Sequence, residues 1–266
     1  MIADTHLHSC YSDDSEELME AQVKRGIELG LPAMCFTDHI DWDFPLPEFH
    51  FDFDIGKYMK DITFLQEKYG SQIRILKGVE LGMQPQLGDR YRQLLSEFPF
   101  DYAICSQHLV NGQDPYYPET FAGREDADVF YDYFEETYQN LRLFHEADTM
   151  AHLDYVVRYG KKGTEDYSYR RFADLIDEIL RLLIRYDIAL ELNTAGIRKG
   201  LGFPNPHPDV IRRYRELGGK LITVGSDAHV HEDLGKDFAA AGQILKAEGF
   251  REICYFVERS PVFLKL

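Results

Sequence analysis

The side chains of this sequence that could bind metal ions are histidines and carboxylates at short, regular spacings. His6 and His8 are separated by one residue, and so are Asp227 and His229. Because side chains alternate across an extended strand, both members of each pair project from the same side and could hold one ion. A mixture of imidazole and carboxylate groups suits zinc, manganese or iron, whereas calcium sites consist of oxygen ligands. These pairs therefore predict a transition-metal site.

Further residues of these types follow the predicted β-strands. Short apolar runs predict strands at residues 2–5, 33–37, 73–79, 102–106, 149–151, 188–192 and 221–224. Metal-ligand side chains end all but one of these runs: His6, His8, Asp38, His39, Glu80, His108, His152, Asp227 and His229. Such a set is too large for one ion with an open coordination position, and it suits two or three ions. His50 and His145 are left unassigned, since a lone histidine is more often a surface or core residue.

Amphipathic segments between these strands predict α-helices. They lie at residues 16–29, 55–69, 130–147, 169–186, 209–217 and 235–248. Ser15 is the expected N-cap of the first helix and Gly30 its stop. Alternating strands and helices predict a parallel sheet covered by helices, and seven or eight such units favour a closed barrel. Residues 253–257 could add a short eighth strand. With no linker in the sequence, we expect a single domain over residues 1–266.

The predicted barrel brings distant residues to one place. All strands of a parallel barrel end on the same face, and that face carries the active site. His6 and His229 would meet there although most of the chain separates them. Two longer loops, at residues 40–54 and 110–127, follow predicted strands and would reach the same face.

Composition narrows the choice of partners. The chain has 29 basic and 46 acidic residues and a formal net charge of −17, so it would repel a nucleic-acid backbone. A small phosphorylated substrate remains compatible, because bound ions and arginines reverse the local field. No apolar stretch approaches the roughly 18 to 20 residues of a membrane helix. The four cysteines include no Cys-x-x-Cys pair, so we expect a reduced, cytoplasmic protein.

Six motifs make the sequence resemble the PHP (polymerase and histidinol phosphatase) superfamily. They are residues 4–9 (DTHLHS), 36–39 (FTDH), 78–80 (GVE), 106–108 (SQH), 151–152 (AH) and 225–229 (GSDAH). The resemblance implies an α/β fold, a distorted TIM-like (β/α)7 barrel of the PHP type, with a trinuclear site. It implies one ion on His6, His8, Glu80 and Asp227, a second on Glu80, His108 and His152, and a third on Asp14, His39 and His229.

The acid of the third group has two candidates. The spacing from His8 in the family favours Asp14, but the adjacent Asp13 could serve instead. A histidine often fills this position in related enzymes, so an acid would alter the metal preference of the third ion. The expected cofactors are two to three divalent ions of zinc, iron or manganese.

Two arginines point to phosphate chemistry. Arg158 follows His152 by six residues, and Arg198 ends the run NTAGIR at residues 193–198. A guanidinium group offers a fork of donors that matches phosphate oxygens, although either arginine could instead form a surface ion pair. Both patterns resemble the histidinol-phosphatase branch of the superfamily. The resemblance implies metal-assisted hydrolysis of L-histidinol phosphate, a step of histidine biosynthesis.

Roles for the remaining candidates follow from that substrate. Trp42 and Tyr117, in the two long loops, offer aromatic faces for an imidazole ring, and nearby acids could bind the amine. Asp227 or His231 would protonate the leaving oxygen. The alternatives are a PHP phosphoesterase with a nucleotide or phosphotyrosine substrate, a non-catalytic PHP module that supports a DNA polymerase, and a barrel hydrolase of amides or lactones. A homodimer is left open.

Overall fold

The computed structural model describes all 266 residues, from Met1 to Leu266. The β-strands are β1 (Asp4–Leu7), β2 (Ala33–Phe36), β3 (His39–Ile40), β4 (Arg74–Gly82), β5 (Tyr102–Ser106), β6 (Thr149–Met150), β7 (Ala189–Asn193), β8 (Ile222–Gly225), β9 (Glu252–Val257) and β10 (Ser260–Lys265). The α-helices are α1 (Met19–Leu29), α2 (Ile55–Tyr69), α3 (Gly88–Glu97), α4 (Asp126–Leu143), α5 (Ala173–Arg185), α6 (Pro208–Glu216) and α7 (Phe238–Ala247).

Seven parallel strands form the wall of a nearly closed barrel. They are hydrogen-bonded in the order β1-β2-β4-β5-β6-β7-β8, and the short β3 pairs with the carboxyl-terminal part of β4. The two edges meet where β1 passes the segment after β8. There His8 N donates to Ala228 O at 2.9 Å, and Asp227 N donates to His6 O at 2.8 Å. The predicted (β/α)7 barrel is confirmed, and the bonds that close it join the two segments that carry His6, His8, Asp227 and His229.

The helices cover the barrel because each buries one apolar face. In α5, Ile176, Ile179, Leu180 and Leu183 are fully buried, and their spacing of three, four and seven residues places them on one side of the helix. Strands β2 and β5 are buried along their whole length. A parallel strand covered on both faces has no polar side, which explains the continuous apolar runs in the sequence. No helix combines the length and the apolar character that a bilayer span requires.

The last predicted strand does not join the barrel. Strand β9 pairs antiparallel with β10 in a separate two-stranded sheet. The turn between them places Glu258 and Arg259 at φ values of 48° and 63°, the left-handed geometry of a tight hairpin whose twist matches its strands. Phe256 stacks on Tyr102 at 5.4 Å, so the hairpin covers the barrel end at which β5 begins. The expectation of an eighth barrel strand is therefore wrong.

Four of the predicted helices, α1, α4, α5 and α7, begin or end three or more residues from their predicted bounds. Helix α1 starts at Met19, and Ser15 Oγ, which accepts from Glu17 N at 3.3 Å and donates to His229 O at 2.9 Å, holds the turn before it. Helix α3 was not predicted. Its only buried side chains are those of Tyr91 and Leu94, too few to give the sequence a clear amphipathic pattern. The predicted segment 169–186 divides into a single turn, Tyr169–Phe172, followed by α5.

Candidate metal centre and active site

Glu80, near the carboxyl end of β4, lies at the centre of the histidine cluster. Its Oε2 atom is 3.1 Å from His6 Nε2 and 3.4 Å from His8 Nε2. Asp227 adds a second carboxylate, with Oδ1 3.4 Å from His8 Nε2 and 3.9 Å from His6 Nε2. His6 lies in strand β1 and His8 directly follows it, and their two-residue spacing turns both imidazoles inward. These four side chains form the first candidate ion position.

The second oxygen of Glu80 faces the other side of the cluster. Its Oε1 atom lies 3.1 Å from His152 Nε2 and 3.3 Å from His108 Nε2. His108 follows β5 and His152 follows β6, so three neighbouring strand ends build this second position. Glu80 is fully buried and lies between the two groups, as a carboxylate shared by two ions would.

A third group lies at the mouth of the barrel. Asp14 Oδ2 is 3.1 Å from His229 Nε2 and 3.7 Å from His39 Nε2. The ring of His8 stacks at 4.2 Å on each of these two imidazoles, which links this group to the first. Asp13 turns away and accepts a hydrogen bond from the backbone of the exposed loop residue His50. Of the two adjacent acids, the structure therefore brings Asp14 to the histidines.

The spacing of these atoms fits divalent ions. Nitrogen and oxygen ligands lie about 2.0–2.2 Å from zinc, so neighbouring ligand atoms of a tetrahedral set are about 3.3 Å apart. The distances from Glu80 Oε2 to His6 Nε2 and His8 Nε2 are 3.1 and 3.4 Å, close to this value. All three atoms are buried, and none has a hydrogen-bond partner. Buried polar atoms normally have a partner, so a bound cation is the natural completion of this arrangement.

Two carboxylates that sequence reasoning missed orient the histidines. His6 Nδ1 donates to Glu191 Oε1 at 2.7 Å, and His108 Nδ1 donates to Asp41 Oδ2 at 2.6 Å. Metal-binding histidines usually donate their second N–H to a carboxylate, which directs the other nitrogen at the ion. Glu191 did carry a sequence signal, because a charged residue inside an apolar strand needs a buried partner.

Glu191→Gln tests this support. The substitution removes the negative charge that accepts the His6 N–H while leaving the shape nearly unchanged. We expect metal affinity to fall by about 10- to 100-fold, measured by titrating the metal-free protein. Glu97→Gln, at the exposed end of α3, is the matched control and should retain affinity. Equal affinity of the Glu191 variant and the unmodified protein would contradict this role.

Burial and neighbouring charges set the protonation of the cluster. Burial, with the charges of His229 and His39, lowers the pKa of His8 to about 3, which leaves a neutral imidazole. Burial opposes ionisation of Glu80, yet the charge of His6 and the other adjacent histidines holds the pKa of this carboxyl well below its usual range. Burial opposes protonation of His6, His108 and His229, yet adjacent carboxylates raise the pKa of all three imidazoles. Because a metal ion binds the neutral imidazole and the ionised carboxylate, its binding would release protons from these rings.

Two candidate ligands are held in strained backbone conformations. His152 has a φ of 28° and Asp227 a φ of 55°, in the left-handed region that side chains other than glycine rarely adopt. Such residues cost about 1–3 kcal/mol each and persist where surrounding contacts impose them. Here His152 N donates to Glu191 Oε2 at 3.1 Å and Asp227 N donates to His6 O. The same carboxylate thus fixes both a histidine ring and a strained backbone.

A cavity of 530 Å³ opens above the cluster, a volume that suits a small metabolite. Its polar lining comprises Asp14, His39, Asp41, Glu80, His108, Asp114, His152, Arg158, Lys199, Asp227 and His229. Its aromatic lining comprises Phe44, Phe49, Phe51, Tyr116, Tyr117, Tyr155 and Tyr159. Both long loops predicted to reach this face contribute to it.

Arg158 lies in the cavity wall as the sequence predicted. Its Cζ atom is 5.1 Å from the centroid of the Tyr155 ring, and Nη2 donates to Asn205 Oδ1 at 3.3 Å. Its Nε atom is buried without a hydrogen-bond partner, and no carboxylate forms an ion pair with the guanidinium group. The charge of Arg158 is therefore not neutralised by a carboxylate, and its Nε donor is available to an anionic ligand.

The sequence predicted that Arg198 binds phosphate in the cavity, but the structure places the adjacent Lys199 there. Arg198 is turned to the barrel, where Nε donates to Asp233 at 3.0 Å and Nη2 donates to Ser226 O and Asp227 O at 2.6 and 3.0 Å. Only its buried Nη1 has no partner. The next residue, Lys199, lines the cavity instead. Successive side chains of the turn Ile197–Leu201 point in different directions, so Lys199 faces the cavity and the adjacent Arg198 does not. The phosphate role of Arg198 stays a prediction.

The structure does not bring Trp42 and His231 to the cavity. The Trp42 ring stacks on Tyr91, with centroids 5.3 Å apart, and the guanidinium group of Arg90 lies 4.2 Å from the centroid of the same ring. His231 Nδ1 lies 2.7 Å from Glu17 Oε2 on the flank of α1, because the short turn it begins packs on that helix. Their expected substrate and proton-transfer contacts have no support in this geometry, whereas Tyr117 does line the cavity.

The fold is a (β/α)7 barrel, and histidines and carboxylates from its strand ends cluster beneath a cavity that contains an arginine. This combination is that of a metal-dependent enzyme. The sequence profile of the PHP domain matches residues 4–195. A probable histidinol-phosphatase of Clostridium acetobutylicum is 34% identical over 91% of each chain. The histidinol-phosphatase of Lactococcus lactis is 30% identical over 95% of this chain and 93% of its own.

The crystal structure of the Lactococcus lactis histidinol phosphate phosphatase was determined with zinc, L-histidinol and phosphate. It matches 98% of both chains with a TM-score of 0.90 at 30% identity. This chain belongs to the PHP domain family.

Proposed function

We propose that this chain is a histidinol-phosphatase, a metal-dependent phosphomonoesterase that converts L-histidinol phosphate to L-histidinol and phosphate in histidine biosynthesis. The observation that carries the proposal is one cavity that joins the Glu80 cluster to Arg158, an arginine without a carboxylate partner. The likeness to the Lactococcus lactis enzyme over nearly the whole chain supports it. We propose that residues 1–266 act as a single catalytic domain.

The charge of the cavity supports two to three divalent ions of zinc, iron or manganese as cofactors. Five carboxylates and only two cationic side chains line it, so without ions it would repel a phosphate group. We assign the ions to the three groups described above. When bound, divalent ions lower the pKa of water and neutralise charge on phosphate oxygens.

The protein's own cations would hold the phosphate group. The guanidinium fork of Arg158, which no carboxylate neutralises, matches two phosphate oxygens, and the exposed Lys199 adds a second positive charge at the cavity wall. Arg198 could contribute through its unpartnered Nη1. Of the two candidates for protonating the leaving oxygen, Asp227 lines the cavity, and we retain it for that role, in which its ionised carboxylate would first take the proton of the attacking water and then pass it to the leaving oxygen.

Aromatic side chains would hold the imidazole ring and exclude water. Phe49 and Phe51 stack in parallel at 5.4 Å, and Phe44 meets Phe51 edge-on at 5.0 Å. Tyr117 and Tyr159 line the cavity from other loops. Flat aromatic faces bind a ring by stacking or edge contacts worth about 0.5–1.5 kcal/mol beyond buried area.

The partner and compartment follow from charge and cysteine chemistry. A net charge of −17 favours a small phosphorylated metabolite over nucleic acid. All four cysteines are unpaired, and burial raises the pKa of Cys35 and Cys105, which keeps their thiols unreactive. We propose that the enzyme works in the reducing cytoplasm.

Phosphate release from L-histidinol phosphate, measured with the metal content of the same sample, tests the proposed function. We expect two to three ions per chain and a kcat/KM higher for this substrate than for a nucleoside monophosphate or phosphotyrosine. Removal of the ions with a chelator should abolish turnover, and re-addition should restore it. Fully loaded protein that prefers phosphotyrosine or a nucleotide would reassign the substrate.

A further inference from the structure

One carboxylate of the cavity has no role in the metal centre. Asp14, Asp41, Glu80 and Asp227 each lie within 4 Å of a histidine nitrogen. Asp114 also lines the cavity, but it forms no ion pair and contacts no histidine side chain. Burial raises the pKa of Asp114, although the hydrogen bond from Tyr116 N and the charge of His108 both lower it.

The loop between β5 and α4 holds Asp114 in a defined position. Its Oδ1 atom accepts a hydrogen bond from Tyr116 N at 2.8 Å. Its backbone oxygen accepts from Thr120 Oγ1 at 2.8 Å and from Tyr117 N at 3.1 Å. Its Oδ2 atom accepts no hydrogen bond from the protein, so one carboxylate oxygen remains available to a ligand.

Aromatic rings surround the same part of the cavity. Tyr116 lies 5.2 Å from Tyr117 and 6.1 Å from Tyr159, both nearly edge-on, and Tyr155 lies 5.2 Å from Tyr159. Faces of tyrosine rings attract cations through their quadrupole. A free carboxylate oxygen among tyrosine rings is a site for an ammonium group.

A carboxylate at this place repels the phosphate monoester that the metal centre attracts. It disfavours every phosphate substrate except one that carries a compensating positive charge. In L-histidinol phosphate, the amino group is two carbon atoms from the ester oxygen, so an ammonium group enters the cavity together with the phosphate.

We propose that Asp114 binds the ammonium group of the substrate and selects phosphorylated amino alcohols over phosphate monoesters that lack an amine. This inference rests on the proposed function and adds a specificity determinant to it. Asp114 acts on the choice of substrate, whereas Arg158 and the ions act on the phosphate common to all phosphomonoesters.

Asp114→Asn tests the proposal with two substrates, L-histidinol phosphate and the analogue in which hydrogen replaces the amino group. Asparagine keeps the Oδ1 acceptor for Tyr116 N and removes the charge. We expect the ratio of kcat/KM for the two substrates to fall by about 10- to 100-fold, the usual worth of a hydrogen bond to a charged group. Glu119→Gln, an exposed acid of the same loop, is the control and should keep the ratio.

The outcomes separate this proposal from the function beneath it. Unmodified protein that hydrolyses both substrates equally, or an Asp114 variant that loses the same factor on both, would overturn the role of Asp114 and leave the phosphatase assignment standing. Metal-loaded unmodified protein that releases phosphate from neither substrate would overturn the proposed function and this inference with it.

Discussion

Replacing Glu80 with alanine is expected to remove bound metal and phosphatase activity together. Both carboxylate oxygens lie within 3.4 Å of histidine nitrogens, three around Oε2 and two around Oε1. Loss of this side chain would deprive two candidate ion positions of an anionic ligand and remove the one carboxylate that all five imidazoles share. We expect kcat/KM to fall by at least about 1,000-fold, because ions supply several kcal/mol of transition-state stabilisation.

Metal analysis and phosphate release on the same preparations measure this effect. Glu80→Gln separates charge from shape, since glutamine fills the space but binds cations weakly, and we expect it to lose metal as alanine does. Glu97→Gln controls for the loss of one negative charge elsewhere. Circular dichroism of each variant reports whether the barrel still folds. A folded Glu80→Ala protein with its full metal content would refute the central position of this residue.

Arg158→Ala should lower kcat/KM by about 100- to 1,000-fold, as removal of one preorganised donor to a developing anion does. The guanidinium group faces the cavity without a carboxylate partner, so its charge is available to the phosphate. The candidate metal ligands do not contact it, and we expect metal content to be unchanged. A loss of activity with metal retained is therefore the signature that distinguishes this variant from Glu80→Ala.

Steady-state kinetics with L-histidinol phosphate tests this expectation. Arg158→Lys should recover part of the loss, because an ammonium group supplies the charge without the two-pronged geometry. Arg124→Ala, which removes an arginine paired with Asp132 at 2.7 Å away from the cavity, is the control. Kinetics of Arg158→Ala equal to those of the control would rule out a phosphate contact.

Much of the fold and the candidate metal centre could be predicted because both depend on local patterns. Apolar runs buried on two faces indicated the seven barrel strands, and the structure confirms the barrel. The carboxyl ends of parallel strands converge by topology, so residues as distant as His6 and His229 could be placed together without coordinates. The stop of α1 was also local, since Gly30 adopts the left-handed φ of 67° that glycine tolerates.

Side-chain direction in the loops could not be predicted in the same way. Arg198 and Lys199 are adjacent cations, and only the path of the turn that carries them determines that Lys199 faces the cavity. Trp42 follows a strand as predicted, yet it stacks on Arg90 and Tyr91. Loops have no periodicity from which an inward and an outward face could be read.

The sequence by itself determined the barrel and the types and positions of the metal-binding side chains, because strand periodicity and parallel topology are encoded residue by residue. Only the tertiary structure decided which carboxylates support that centre and which remain free. Glu191 and Asp41 accept hydrogen bonds from histidines, whereas one carboxylate oxygen of Asp114 accepts none from the protein and remains available in the cavity. That difference depends on the three-dimensional proximity of donors from distant strands.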